Sequence, residues 1–124
     1  MHALRAQAVA ARSYSATDQQ GNGGAGKYVY ADTCNTEVCQ VYGGVALQQG
    51  ATFFQLEQAN TDRAIAETAG MMRMANGAPA RTEFSSSTGG HTAGGTFPAI
   101  VDEGDDICIT GSVCNPNHDW TLKL

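Results

Sequence analysis

The segment Ala3–Tyr14, ALRAQAVAARSY, constrains this chain more than any other stretch of it. Ala and Arg are strong helix formers, and neither Gly nor Pro interrupts the run before Gly21, so a helix is expected almost from the first residue. Leu4, Ala8, Ala11 and Ser15 fall on one stripe, which Val9 and Ala10 widen. Small side chains there let another backbone approach closely. Arg5 and Arg12 are the only charges in the segment. A helix of this kind belongs at the centre of a fold rather than on its rim.

The chain has 124 residues, 42% hydrophobic and 15% charged, enough for one domain over residues 1–124 with a single core. A formal net charge of -5 argues against nucleic acid or an anionic membrane as partner, because both reward clustered Lys and Arg. Four of the twelve acids sit in Asp102-Glu103-Gly104-Asp105-Asp106. Without the spacing of an EF-hand, that cluster is expected to be a solvated loop rather than a calcium site. The sequence contains no export signal and no apolar run long enough to span a membrane.

Along the chain, Gly21–Gly26 holds four glycines in six residues and reads as a loop. Lys27–Ala31 alternates Tyr28 and Tyr30 on one face and reads as a short strand. Asp32–Cys39 reads as a tight loop, continued by Gln40–Tyr42 and ended by Gly43-Gly44. Phe53–Leu56 suits either a helical turn or an apolar patch against the core. Thr61–Thr68 is expected to be a short helix capped by Asn60 or Thr61, with Asp62 in its first turn and Gly70 beyond its end. Asn76-Gly77, between Met71–Met74 and Pro79–Ser85, is a hairpin signal. The expected fold class is α+β: a small antiparallel sheet with a hairpin, packed with the Ala-rich N-terminal helix and a second short helix.

Four segments in order resemble the SpoIID/LytB family of sporulation and cell-wall proteins. They are Ala3–Tyr14, Cys39-Gln40-Val41-Tyr42-Gly43-Gly44, Ser85-Ser86-Ser87-Thr88-Gly89-Gly90-His91-Thr92, and Asn115-Pro116-Asn117-His118-Asp119-Trp120. The resemblance implies a peptidoglycan-acting domain, extracellular or cell-wall associated, whose partners are glycan strands and a cell-wall amidase. Because the chain begins inside the family's first motif, its start at Met1 reads as a truncation, with any export signal upstream.

The four cysteines form two close pairs, Cys34 with Cys39 and Cys108 with Cys114, five and six positions apart. An even count in close pairs suits two local disulfides in an oxidising compartment. Each would close a short loop, contributing about 2 kcal/mol on the chain-entropy model. Zinc is the competing reading, because the resemblance implies a zinc site in some family members, with a His upstream of a similar pair. Here that stretch is Lys27-Tyr28-Val29, without a His. Neither metal nor cofactor is therefore expected.

Gly89 and Gly90 allow close backbone approach, and Ser85, Ser86, Ser87, Thr88 and Thr92 surround them with hydroxyls suited to sugar hydroxyl and acetamido groups. The resemblance places this loop beside the glycan; a solvated Ser/Gly linker is the ordinary alternative. Gln40 and Tyr42 would add an amide and an aromatic face on the same side, although Tyr42 also suits a half-buried strand position.

The family's SpoIID branch is lytic-transglycosylase-like: one Glu protonates the leaving oxygen and then deprotonates the C6 hydroxyl, closing a 1,6-anhydro ring. That Glu immediately precedes Ala-Leu-Lys/Arg-Ala-Gln in the family, and here the position is His2. Imidazole titrates near neutrality but is shorter and differently shaped. Glu83 is the acid nearest the Ser/Gly loop in sequence, and His91 reads as a solvent-exposed residue. No Gly-x-Ser-x-Gly elbow or phosphate-binding loop is present. The reading is thus a glycan-strand binding or remodelling domain, with an active lytic transglycosylase as the alternative.

The cysteine reading makes a direct prediction. Thiol titration of the denatured, unreduced protein should find no free thiol, whereas zinc present in equimolar amount would overturn the disulfide assignment.

Overall fold

A computed structural model describes residues 1–21, 28–92 and 94–105. Most of the Gly21–Gly26 loop and the Asn115–Trp120 segment lie outside the described residues. The chain divides into two compact units, Met1–Glu83 and Phe84–Leu124. The α+β class is as expected: two helices and two small antiparallel hairpins.

The Ala-rich segment forms α1, His2–Gly21, and α1 is the centre of the first unit. It packs against α2, Ala59–Glu67, and against β4, Ala78–Pro79. The expected stripe through Leu4, Ala8, Ala11 and Ser15 is only half-buried. The residues driven deepest are Ser13, Tyr14 and Asp18, joined by Ala64, Thr68 and Ala80. This core is small and half polar, so its polar atoms need partners.

Ser13, fully buried, donates its hydroxyl to the Val9 carbonyl at 2.7 Å and accepts the Arg73 N–H at 2.8 Å. Arg12 donates to the carbonyls of Thr68 and Met71, at 2.8 and 2.7 Å. Thr82 donates to the Ala10 carbonyl at 2.7 Å. Asp18 accepts from Arg81 and from Thr33, both at 3.4 Å. Arg81 lies 4.5 Å from the Tyr14 ring centroid and donates to its hydroxyl at 2.8 Å. Among the described residues, no buried side-chain nitrogen or oxygen is left without a partner.

Helix α2 starts two residues earlier than expected. Its N-cap is Gln58, whose N–H meets the Thr61 hydroxyl at 3.3 Å, rather than Asn60 or Thr61. Thr68 closes it by donating its hydroxyl to the Ala64 carbonyl at 2.8 Å. The Asn-Gly hairpin forms where expected, between β3, Met74–Ala75, and β4. Asn76 and Gly77 have φ of 51° and 80°, the doubly left-handed pair of a type I′ turn. Its strands are only two residues long, shorter than the flanking alternation implied.

Two expectations are corrected. Lys27–Ala31 is not a strand where described: Tyr28 and Ala31 exchange both backbone hydrogen bonds, at 2.9 and 3.2 Å, around a tight turn. Tyr28 and Tyr30 stack at 5.6 Å between centroids. Phe53–Leu56 forms neither a helical turn nor core packing. Thr52–Gln55 is β2, paired antiparallel with β1, Ala46–Gln49, and Phe53 and Phe54 are exposed. The two-residue loop Gly50-Ala51, with Gly50 at φ 60°, sets this register.

Of the two expected disulfides, the structure contains the first. Cys34 and Cys39 are bonded, with Cα atoms 5.4 Å apart. Both Cys108 and Cys114 lie outside the described residues, so the disulfide between them stays an expectation from spacing.

Because the fully buried Ser13 hydroxyl accepts the Arg73 N–H, Ser13→Ala should destabilise the protein by about 1–3 kcal/mol, the cost of depriving a part-buried donor of its partner. Urea unfolding followed by circular dichroism measures it, and an unchanged midpoint would contradict the assignment.

Candidate functional site

The Ser85–Thr92 loop belongs to the second unit and is laced to the acidic segment at 102–105. Gly89 and Gly90 adopt φ of 67° and 87°. Successive backbone N–H groups in such turns converge into an anion-binding concavity. Here both reach one oxygen, Asp105 Oδ2, at 2.8 and 3.2 Å. The Ser87 hydroxyl donates to the same oxygen at 2.6 Å. Thr88 donates to Asp102 Oδ2 at 3.0 Å, and the Gly104 N–H meets Asp102 Oδ1 at 3.3 Å. The acidic cluster is therefore not merely a solvated loop, because two of its carboxylates hold the Ser/Gly loop.

The backbone closes the arrangement independently of those carboxylates. Asp102 N–H donates to the Gly90 carbonyl at 2.9 Å, and Thr92 N–H to the Ile100 carbonyl at 2.9 Å. Ile100 N–H in turn donates to the Thr92 hydroxyl at 2.8 Å. The Ser85 hydroxyl is donated to the Ser87 carbonyl at 2.7 Å. Ser86 and His91 are exposed. The hydroxyl protons of Ser85, Ser87 and Thr88 are thus all engaged within the second unit. What these groups still offer a ligand is acceptor lone pairs.

The remaining sequence-predicted residues lie in the first unit. Gln40 is half-buried, and its amide nitrogen donates to the Ala11 carbonyl at 2.9 Å and to the Ser15 hydroxyl at 2.7 Å. Both amide protons are engaged by α1. Tyr42 is exposed, outside any strand, and donates to Glu57 Oε1 at 3.0 Å. That hydrogen bond, with weaker help from desolvation and the Glu57 charge, raises the Tyr42 pKa above 10.0.

His2 is exposed in the first turn of α1, and its side chain has no hydrogen-bond partner among the described residues. One turn further on, Arg5 and Ala6 begin a cleft of about 660 Å³ that sequence reasoning did not anticipate. Val9, Ala10 and Met71 give it an apolar lining, and Glu67 adds a carboxylate. Hydrogen bonds from Arg63 at 2.7 Å and Arg5 at 2.6 Å, in that order of effect, hold the Glu67 carboxyl below its usual pKa. A general acid needs the opposite shift. Glu83 is exposed and ion-paired with Arg81 at 3.1 Å.

A signal for the Asp102 and Asp105 contacts was present but unread. Residues 85–90 carry a surplus of donors with no carboxylate among them, and 102–106 a surplus of acceptors. The cleft had no comparable signal, because it is bounded by residues as far apart as Arg5 and Glu67, 62 positions from each other.

A family model described as Stage II sporulation protein, SpoIID, matches residues 1–74. The match spans α1, the Cys39–Gly44 segment, both strands of the β1–β2 hairpin and α2. It covers more than half of the chain, which therefore belongs to the SpoIID family. The Ser85–Thr92 loop lies beyond the matched residues. No curated protein and no solved structure matches the chain.

The Tyr42–Glu57 contact is testable by alkaline titration. One tyrosine should ionise above the ordinary value of 10.0, and Glu57→Gln should bring it back down, read from phenolate absorbance. The sign for stability follows: a raised folded pKa gives a contribution that is complete below the unfolded value and lost as pH climbs through the folded one.

Proposed function

We propose that this SpoIID-family chain is an extracellular, cell-wall domain that binds or remodels the glycan strands of peptidoglycan, alone or beside a cell-wall amidase. The observation that carries this reading is the Ser85–Thr92 loop. Its hydroxyl oxygens and left-handed glycines are fixed in one turn by Asp102 and Asp105. A preorganised row of small polar groups loses little freedom when it meets sugar hydroxyls. The Cys34–Cys39 disulfide suits an oxidising location outside the cell. Among the described residues, no helix is long and apolar enough to cross a membrane.

Binding is favoured over lytic transglycosylation by the acids themselves. His2 occupies the position of the family's Glu, Glu67 is held ionised by two arginines, and Glu83 is exposed and paired with Arg81. All three residues are exposed, whereas acid catalysis requires a partly buried group.

Gly90→Val should weaken retention on purified denuded glycan, since a β-branched residue is strained at φ 87° and disrupts the turn. Unchanged retention by a variant with native circular dichroism would reduce the loop to a linker. Digests of denuded strands should lack 1,6-anhydromuramic ends, because losing a general acid costs about 10²–10⁴-fold in rate. Abundant anhydro product from the unmodified chain, seen by mass spectrometry, would restore the enzyme reading.

A further inference from the structure

Three donors from three neighbouring residues converge on a single carboxylate oxygen in the second unit. The Ser87 hydroxyl lies at 2.6 Å from Asp105 Oδ2, the Gly89 N–H at 2.8 Å and the Gly90 N–H at 3.2 Å. Ser87 Oγ also accepts the Gly89 N–H at 3.3 Å, which orients the hydroxyl toward the same point. The geometry is that of an oxyanion receptor, and the chain supplies its own anion from 15 to 18 positions downstream. We propose that Ser87, Gly89 and Gly90 form a carboxylate-binding nest for the ligand, and that Asp105 fills it as a displaceable internal competitor.

Displacement is physically accessible. The contact at Gly89 is exposed, so a ligand oxygen can approach from solvent, while those at Ser87 and Gly90 are part-buried. The loop does not depend on Asp105 alone for its path. The Asp102 N–H to Gly90 carbonyl bond, the paired Thr92–Ile100 bonds and the Thr88–Asp102 bond hold it separately. Release of Asp105 therefore exposes a formed nest rather than a collapsed loop.

The ligand chemistry follows from the donors and rests on the glycan reading above. Of the two sugars in a peptidoglycan strand, only muramic acid carries a carboxylate, on its lactyl ether. That carboxylate is free on a denuded strand and is converted to an amide where a stem peptide is attached. Two backbone N–H groups and a hydroxyl favour the ionised form strongly over an amide oxygen. The nest thus selects strands already stripped of peptides. Repeated carboxylates along one strand raise the local concentration competing with Asp105.

The test uses the full chain and denuded glycan strands, with the same strands methyl-esterified at their carboxyls as the second probe. Asp105→Ala should bind the free-carboxylate strands about tenfold more tightly than the unmodified protein, the factor for a nest filled nine-tenths of the time. Esterification should abolish that gain. Glu103→Gln, an equal loss of charge outside the nest, should bind like the unmodified chain. Equal or weaker binding by a folded Asp105→Ala variant, or a gain that persists on the esters, overturns the proposal.

If Asp105→Ala does not fold, the unmodified protein decides the matter by nuclear magnetic resonance. The Gly89 and Gly90 amides should shift saturably with N-acetylmuramic acid and not with its methyl ester; unmoved amides overturn the proposal. Amides that shift, in a protein that no glycan strand retains, would support the nest while overturning the strand-binding reading.

Discussion

The backbone carbonyls of α1 serve twice, and the first unit is organised around that fact. Each carbonyl has a second lone pair beyond the one used inside the helix. Because Ala10 and Ala11 have small side chains, donors from distant segments reach those lone pairs: Thr82 to Ala10 and Gln40 to Ala11. Ser13 and Arg12 extend the pattern in the other direction, engaging the backbone of Arg73, Thr68 and Met71. Small side chains therefore matter here for admitting polar side chains to the helix, more than for apolar packing.

The consequence is a core in which hydrogen bonding decides uniqueness. Ser13, Asp18 and Thr68 are buried among Tyr14, Ala64 and Ala80, and each polar group is placed against a specific partner. Apolar residues can slide against one another at small cost, whereas a buried hydroxyl or carboxylate that loses its partner carries the full desolvation penalty. Larger apolar side chains, Leu47, Phe53 and Phe54 among them, remain exposed on the β1–β2 hairpin.

The second unit uses acids in the same architectural way. Asp102 and Asp105 take up donors from Ser87, Thr88, Gly89 and Gly90, so a loop of small polar residues acquires one conformation. On the glycan reading, an acidic chain with a charge of -5 thereby offers its ligand a surface of oriented dipoles rather than a field of charge. In the first unit of this SpoIID-family chain, hydrogen bonds from Arg63 and Arg5 hold the Glu67 carboxyl below its usual pKa, the opposite of what an acid catalyst needs.

Local signals alone determined α1, the Asn76-Gly77 hairpin, the short second helix and the Cys34–Cys39 link, since each depends on propensity, turn chemistry or proximity within a few residues. They misplaced what depends on partners: the Tyr28–Tyr30 alternation became a turn, and Phe53–Leu56 gained a strand partner through Gly50. Tertiary structure decided that Gln40 would tether to α1 and that the acids at 102–105 would clasp the Ser/Gly loop. It also decided that a cleft would open between residues as distant as Arg5 and Glu67. The physical reason is that a hydrogen-bonding side chain states its capacity in the sequence, but only the folded chain, by bringing donor and acceptor within about 3 Å, selects which capacity is used.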